Sequence, residues 1–253
     1  MKPLPIRAVV REALQIVWHR RARLFQALIT AGLVLIALDM RPSYLSIEDW
    51  RLDALLAVAN IVVFTLFAIT CHRIVLLGQT ATPKYGIRSW SQRETRFLSW
   101  TIVGYFFFSL ISMALAMFAG IAAAIIPSDE IPPTLWYLFL FPGSYIFARL
   151  AVLLPATAID ERHDMKWAWE TTSNNGWRLV VVVALLPWLL ASAFDVFTIG
   201  ESLLVKFILH TVAYALMAIE IAVLSVSFRF LAPTPSAEIP AHIAFQPTAE
   251  SGG

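Results

Sequence analysis

Charge is scarce in this sequence: only 14% of its 253 residues are Asp, Glu, Lys or Arg, whereas about 25% is usual in soluble domains. Hydrophobic residues make up 59% of the chain, well above the about 45–50% of a soluble domain. A chain of this composition has too little polar surface to cover itself in water. Its scarcity of charge therefore excludes an ordinary soluble domain and predicts an integral membrane protein.

Cysteine is almost absent, since Cys71 is the single one. No intrachain disulfide can form and no CxxC redox pair exists, so Cys71 is predicted to be a small buried hydrophobic residue. The five histidines show neither HxxxH nor HExxH spacing, and we expect no metal site. A P-loop, a dinucleotide-binding fingerprint and a nucleophile elbow are also missing. The sequence thus predicts no cofactor, no catalytic residue and a protein that is not an enzyme.

Long apolar stretches are what the sequence has instead. A helix needs about 20 mostly apolar residues to cross a hydrocarbon core of about 30 Å. Six stretches meet this requirement and are predicted as transmembrane helices, at residues 24–40, 54–77, 98–127, 134–159, 179–199 and 203–228. The predicted fold class is all-α, a six-transmembrane-helix bundle formed by residues 1–231. Residues 232–253 are rich in proline and small residues and predict a flexible cytoplasmic tail.

The connections between these stretches alternate in charge. Residues 1–23 and the second and fourth connections are rich in Lys and Arg, whereas the first, third and fifth connections are acidic. Positively charged loops remain in the cytoplasm, so the pattern predicts cytoplasmic N and C termini.

An amphipathic helix is predicted over residues 5–20, because apolar residues recur at helical spacing between charged ones. Such a helix would lie in the membrane interface, with basic residues toward anionic lipid headgroups. The predicted headgroup contacts are Arg7, Arg11, Arg20, Arg21 and Arg23. Lipids, and other membrane proteins, are the expected partners. Nucleic acid is not, because the basic residues adjoin apolar stretches and form no separate module.

Three returning helices end in a similar way, with an arginine followed by apolar residues and then Gly or Pro. The arginines are Arg73, Arg149 and Arg229, at separations of 76 and 80 residues. This spacing indicates three parallel two-helix repeats. The alternative is that any six-helix protein with cytoplasmic arginines shows some such spacing.

Arg149 and Glu220 are charged residues inside predicted helices, where an isolated charge is costly. Each helix runs toward the cytoplasm, and residue counts to its end place the two at similar depths. We therefore predict an ion pair between them, either structural or part of a proton or substrate site. The repeat pattern argues instead for an interfacial, snorkelling Arg149.

Helix kinks are predicted at Pro142 with Gly143 and at Pro187. These residues, together with Tyr145 and Glu220, are where a cavity is expected. A row of small residues indicates close helix packing, either within the chain or between two copies. It consists of Ser112, Ala116, Gly120 and Ala124.

The segment from Tyr145 through Arg149 to Pro155, with Asp160-Glu161 and Trp177-Arg178 after it, resembles the YciC-like family of bacterial inner-membrane proteins. The membrane region of some glycerophosphodiester phosphodiesterases is similar, although no phosphodiesterase domain is present. The resemblance implies a six-helix bundle in a bacterial inner membrane and implies no activity.

Three functions are compatible with these observations. The first is a non-enzymatic component of a membrane complex or of membrane organisation, favoured by short loops and the lack of a soluble domain. The second is a small-solute or ion transporter or channel with a site near Glu220. The third is an enzyme acting on lipid, which would require polar groups to converge at the basic surface.

Overall fold

The computed structural model describes residues 3–41, 49–78, 89–125, 140–195 and 202–232, and the regular structure within these ranges is helical without any strand. The helices are α1 (Ile6–His19), α2 (Arg21–Met40), α3 (Trp50–Leu77), α4 (Gln92–Ile125), α5 (Leu140–Leu150), α6 (Leu153–Ala158), α7 (Met165–Thr171), α8 (Gly176–Val180), α9 (Leu186–Asp195) and α10 (Leu203–Leu231). A π-helical turn (Val181–Leu185) joins α8 to α9. The tail and the tips of several connections lie outside the described residues.

Five helical segments in the described ranges are long and apolar enough to cross a membrane. They are Arg21–Met40, Trp50–Leu77, Gln92–Phe118, Leu140–Ala158 and Leu203–Leu231. This confirms the predicted fold class of an all-α, multi-pass membrane bundle. The stretch predicted at 179–199 contains a shorter apolar helix, Gly176–Leu189, and the end of that stretch lies outside the described residues, so the sixth transmembrane helix stays a prediction.

Contacts between helix ends gather the arginine-bearing termini at one end of the bundle. Arg20, just before α2, donates hydrogen bonds to the Ile74 and Val75 carbonyls near the end of α3. Glu12 of α1 pairs with Arg229 near the end of α10. We call this the basic end. Helix α2 starts at the basic end, and α3 and α10 both end there. The chain therefore crosses the bundle an even number of times from the start of α2 to the end of α10.

The tightly packed core lies toward the basic end. In α3, Phe67 to His72 are all buried, and α10 is buried continuously from Ile221 to Phe228, whereas most of its first half is exposed. His72 joins the two helices through a 2.7 Å hydrogen bond to Ser225 Oγ. Since the Ser225 hydroxyl donates to the Ile221 carbonyl, His72 Nδ1 is the donor to Ser225.

Cys71 is completely buried, and its thiol lies 3.5 Å from the Ala218 carbonyl oxygen. The prediction of a buried cysteine is confirmed. The thiol fills space between α3 and α10.

Two glycines allow α4 and α5 to approach closely. A Cβ atom added at Gly143 would lie 2.8 Å from Ser112 Oγ and 2.9 Å from the Phe108 carbonyl oxygen. One added at Gly104 would lie 3.2 Å from the Phe147 ring. Ser112 therefore packs within the chain, whereas Ala116 and Gly120, from the same row of small residues, are exposed. The side chain of Ala124 lies outside the described set.

The helix interruptions in the described residues lie near prolines. Pro142 and Gly143 lie at the start of the described part of α5, and the chain before Leu140 lies outside the described ranges, so the kink predicted there stays a prediction. A break occurs at Ala151 and Val152, because Pro155 cannot donate to the Ala151 carbonyl four residues earlier. Before Pro187 the helix widens into the π-helical turn, a recognised way to accommodate a local distortion.

Helix α1 packs against the bundle instead of resting only on its surface. Val9 and Ala13 are fully buried in the shared core, whereas Leu14 and Trp18 are exposed. Its apolar stripe is therefore divided between protein contact and outward-facing surface. The amphipathic pattern predicted the helix, but not which of its apolar residues are buried and which are exposed.

Candidate functional site

Charged side chains from two helices and a turn converge at the basic end. We call the group of Arg73, Arg93, Glu94 and Asp160 the arginine network. Arg93 donates from Nε and Nη2 to Glu94 Oε1, both at 3.0 Å, and from Nη1 to Asp160 Oδ2 at 3.0 Å. Arg73 Nη1 also lies 3.0 Å from that Asp160 oxygen. Arg93 and Glu94 are buried, so their charges are balanced by each other and not by solvent.

The Glu94 side chain also caps the N-terminus of α4. Its Oε2 accepts hydrogen bonds from the backbone N–H of Ser91, at 2.8 Å, and from the Ser91 hydroxyl. Ser91 Oγ in turn accepts from the Arg93 N–H at 3.3 Å. This reciprocal arrangement is a capping box, whose sequence signal is Ser or Thr followed three residues later by Glu. The prediction of site residues missed Glu94, although Ser91-Gln-Arg-Glu94 carries that signal.

Asp160 connects the arginine network to the turn after α6. Its backbone adopts a positive φ of 69°, a conformation that Asp and Asn tolerate better than most other non-glycine residues. Arg73 donates to the Ala158 carbonyl in the same turn, at 2.8 Å. The turn is thus tied to the ends of both α3 and α4.

Arg149 occupies a separate site, which we call the Arg149 pocket. The side chain is buried, and its Nε donates to Thr172 Oγ1 at 2.8 Å. Its Nη2 donates to the Trp169 carbonyl, and its guanidinium lies 3.5 Å from the centroid of the Trp169 ring. Tyr145 contributes a hydroxyl at 3.3 Å from Nη1. These contacts anchor α7 against α5.

The structure does not bring Arg149 and Glu220 together. All the polar contacts of Arg149 are with α5 and with α7 or its C-terminal cap, and the described residues contain no ion pair to Glu220. Glu220 is half-buried on α10, directly before the buried stretch that begins at Ile221. The predicted ion pair is therefore corrected: Arg149 is held by neutral acceptors and an aromatic ring.

The arginines predicted to contact headgroups fall into two groups. Arg7 and Arg11 are exposed on α1 and can reach lipid. Arg20 is committed to the carbonyls at the end of α3, and burial, followed by the nearby Arg229 charge, lowers the pKa of Arg20. Arg21 donates to the Trp18 carbonyl and lies over the Trp18 ring. Arg23 is half-buried.

A smaller polar cluster lies at the opposite end of the bundle. Asp39 accepts hydrogen bonds from Asn60 Nδ2, at 2.8 Å, and from the Tyr214 hydroxyl, which joins α2, α3 and α10. Arg41 pairs with Asp53 at 2.8 Å. These contacts fasten the less tightly packed half of the bundle.

An apolar cavity of about 490 Å³ lies between α4, α5 and the segment around the π-helical turn. Its walls include Phe108, Phe141, Ser144, Leu185 and Trp188. Several of these residues flank Pro142–Gly143 and Pro187, the region in which a cavity was expected. Glu220 is not among its lining residues, and the apolar walls suit a hydrocarbon chain better than an ion.

Comparisons of this chain with protein-family models, curated proteins and solved structures found no match. The resemblance to the YciC-like family therefore stays a prediction. The fold and the candidate site define an all-helical, multi-pass membrane protein whose charged groups at the basic end largely hold its own helices together.

Proposed function

We propose that this protein is a non-enzymatic, accessory component of a membrane complex in a bacterial inner membrane, with both termini in the cytoplasm. The arginine network and the Arg149 pocket support this proposal, because their polar groups are engaged in contacts between helices. Charges used in this way stabilise an architecture and leave little for chemistry. The gathering of the arginine-rich helix ends at one end supports the orientation.

The observation that carries the proposal is the exposed surface of α4. Only 6% of its apolar window is buried, compared with 56% for Leu140–Ala158. Beyond its first turns, α4 presents Met113, Met117 and Phe118, each at least 60% exposed. Ala116 and Gly120 are also exposed, three residues after Met113 and Met117 respectively, and their i, i+4 spacing lets another helix approach closely. We infer that a transmembrane helix of a partner protein packs on this α4 face.

Photo-crosslinking in intact membranes tests this prediction. A crosslinker at Met113 or Met117 should give a discrete adduct with one partner protein, whereas a crosslinker at the exposed Ile61 of α3 should not. Gly120→Leu should reduce the adduct roughly tenfold, because overpacking a close contact costs about 1–3 kcal/mol. A Cβ at Gly120 meets no atom within 4 Å, so the thermal stability of the protein should not change.

Lipid adducts alone at Met113 and Met117, or a protein adduct insensitive to Gly120→Leu, would contradict the proposal. An adduct with a second copy of this chain would identify a homo-oligomer and replace the assigned partner.

Transport is the second candidate function, and Glu220 is the observation that favours it. This half-buried carboxyl has no hydrogen-bonding or ionic partner in the part of the chain that the structure describes, which is unusual for a residue inside a membrane helix. Such a group could exchange a proton with a passing solute.

Glu220→Gln separates the two functions. If the protein is an accessory component, wild type and Glu220→Gln should show the same background proton and solute flux in liposomes and the same crosslinking from Met113. A wild-type flux that the substitution lowers tenfold or more, with the melting temperature unchanged, would establish the transporter instead. Arg11→Gln, at an exposed position of α1, serves as a control for altered charge.

A further inference from the structure

A polar cleft of about 350 Å³ lies between the first turns of α4 and the segment that follows α6. Its lining includes Arg96, Ser99, Trp100, Glu161, Arg162 and His163. None of these six residues belongs to the arginine network or to the Arg149 pocket. The cleft is therefore a distinct feature of the basic end.

The two arginines that line the cleft, Arg96 and Arg162, have no carboxylate partner among the described residues. Within the described ranges, Arg96 makes one hydrogen bond, from Nε to the Gln92 carbonyl at 3.4 Å, and Arg162 makes none. Neither has a carboxylate partner there, in contrast to Arg73 and Arg93, which bind Asp160. Two guanidinium groups at one cleft favour an anion, and their planar forks match the oxygens of a phosphate.

Glu161 gives the same cleft a fixed negative group. Its Oε2 lies 3.0 Å from His163 Nε2. The His163 ring stacks on Trp167, with centroids 3.8 Å apart and planes only 9° from parallel. The carboxylate is thereby held in place on one side of the cleft. A ligand that carries both a phosphate and an ammonium group would satisfy both kinds of charge.

The cleft lies where lipid headgroups are expected. It opens beside the first turns of α4, and the half-buried Trp100 forms part of its wall. Tryptophan favours the headgroup level of a bilayer, because its ring is apolar and its N–H is polar.

We propose that this cleft binds the headgroup of a phospholipid of the phosphoethanolamine type. Arg96 and Arg162 bind the phosphate, and Glu161 receives the ammonium group. The contacts support binding and not hydrolysis, since the Ser99 hydroxyl donates to the Thr95 carbonyl and His163 Nε2 is occupied by Glu161. This inference is independent of the α4 docking face, so crosslinking from Met113 and lipid binding can fail separately.

Calorimetric titration of the full-length protein in a non-ionic detergent tests the proposal. The probes are short-chain phosphatidylethanolamine, short-chain phosphatidylglycerol and inorganic phosphate. Phosphatidylethanolamine should bind most tightly. Arg162→Gln and Arg96→Gln should each weaken its binding about ten- to a hundredfold, the effect of losing a charge-assisted hydrogen bond. Glu161→Gln should abolish the preference for phosphatidylethanolamine over phosphatidylglycerol.

Arg51→Gln is the matched control, because Arg51 is exposed in the first turn of α3 and lies outside the cleft. Arg162 is exposed as well, so its substitution should leave the melting temperature unchanged and keep the test interpretable even if Arg96→Gln impairs folding. Equal lipid affinity in wild type and Arg162→Gln would overturn the proposal. Inorganic phosphate binding as tightly as the lipid would overturn the headgroup assignment and indicate a soluble phosphate ligand.

Discussion

Replacing Arg149 with Gln should lower the free energy of unfolding by about 3 kcal/mol, because buried partners of a lost charge are left unsatisfied. The substitution removes the Nε bond to Thr172 and the Nη2 bond to the Trp169 carbonyl. It also removes the guanidinium stacked on the Trp169 ring, a contact worth about 0.5–2 kcal/mol when desolvated. Reversible denaturation in mixed micelles, followed by circular dichroism, measures the loss.

Two control variants separate charge from geometry. Arg149→Lys keeps the positive charge but cannot reproduce the planar fork, so we expect it to recover less than half of the lost stability. Arg11→Gln removes an exposed arginine and should change the stability by no more than about 0.5 kcal/mol. If Arg149→Gln were as stable as Arg11→Gln, the Arg149 pocket would not be a structural anchor.

The wrong prediction of an Arg149–Glu220 ion pair shows a limit of estimating membrane depth from residue counts. The sequence prediction measured the depth of Arg149 along a continuous helix that ends near Asp160. That helix is interrupted at Ala151 and Val152 because of Pro155, so the counted distance is not a depth. Equal depth also leaves open which way a side chain points around its helix. Apart from Tyr145 on α5 itself, the partners of Arg149 lie on α7 and its cap, a short segment that packs against α5.

The apolar stretches were predicted more successfully than the contacts between them. Length and hydrophobicity alone identify a membrane helix, since the hydrocarbon core demands both. The described part of the segment 179–199 is an apolar helix, as predicted, but its π-helical turn depends on the local structure before Pro187. The division of α1 between core and surface likewise depends on where α10 lies. The local spacing of apolar residues predicts neither the π-helical turn nor the part of α1 that is buried.

Glu94 shows a different limit of prediction from sequence. The sequence signal for its capping role is present, but its burial depends on contacts with distant residues. Ser91-Gln-Arg-Glu94 marks the beginning of a helix by the capping box rule. The same rule places such a carboxylate on a solvent-exposed first turn in many proteins. Here the turn packs into the bundle, where Arg93 binds both Glu94 and Asp160, and Glu94 is only 1% exposed. Glu94 therefore both caps α4 and binds Arg93 inside the arginine network.

Replacing Glu94 with Ala should cost about 3 kcal/mol of unfolding free energy, since it removes an N-terminal cap and leaves Arg93 with one carboxylate fewer in a buried setting. Glu94→Gln distinguishes these two contributions. Glutamine at the third helical position can still accept from the Ser91 N–H, so the cap is kept while the charge is lost. We expect the Gln variant to recover about 1 kcal/mol, the usual worth of a cap.

Reversible denaturation in mixed micelles should therefore rank the variants as wild type, then Glu94→Gln, then Glu94→Ala. Adding Arg93→Gln to Glu94→Gln should give a loss smaller than the sum of the two single losses, because the buried charges are removed together. Additive losses would mean that Arg93 and Glu94 do not balance each other. In that case Asp160, which accepts from Arg93 at 3.0 Å, would be the carboxylate that matters to the basic end.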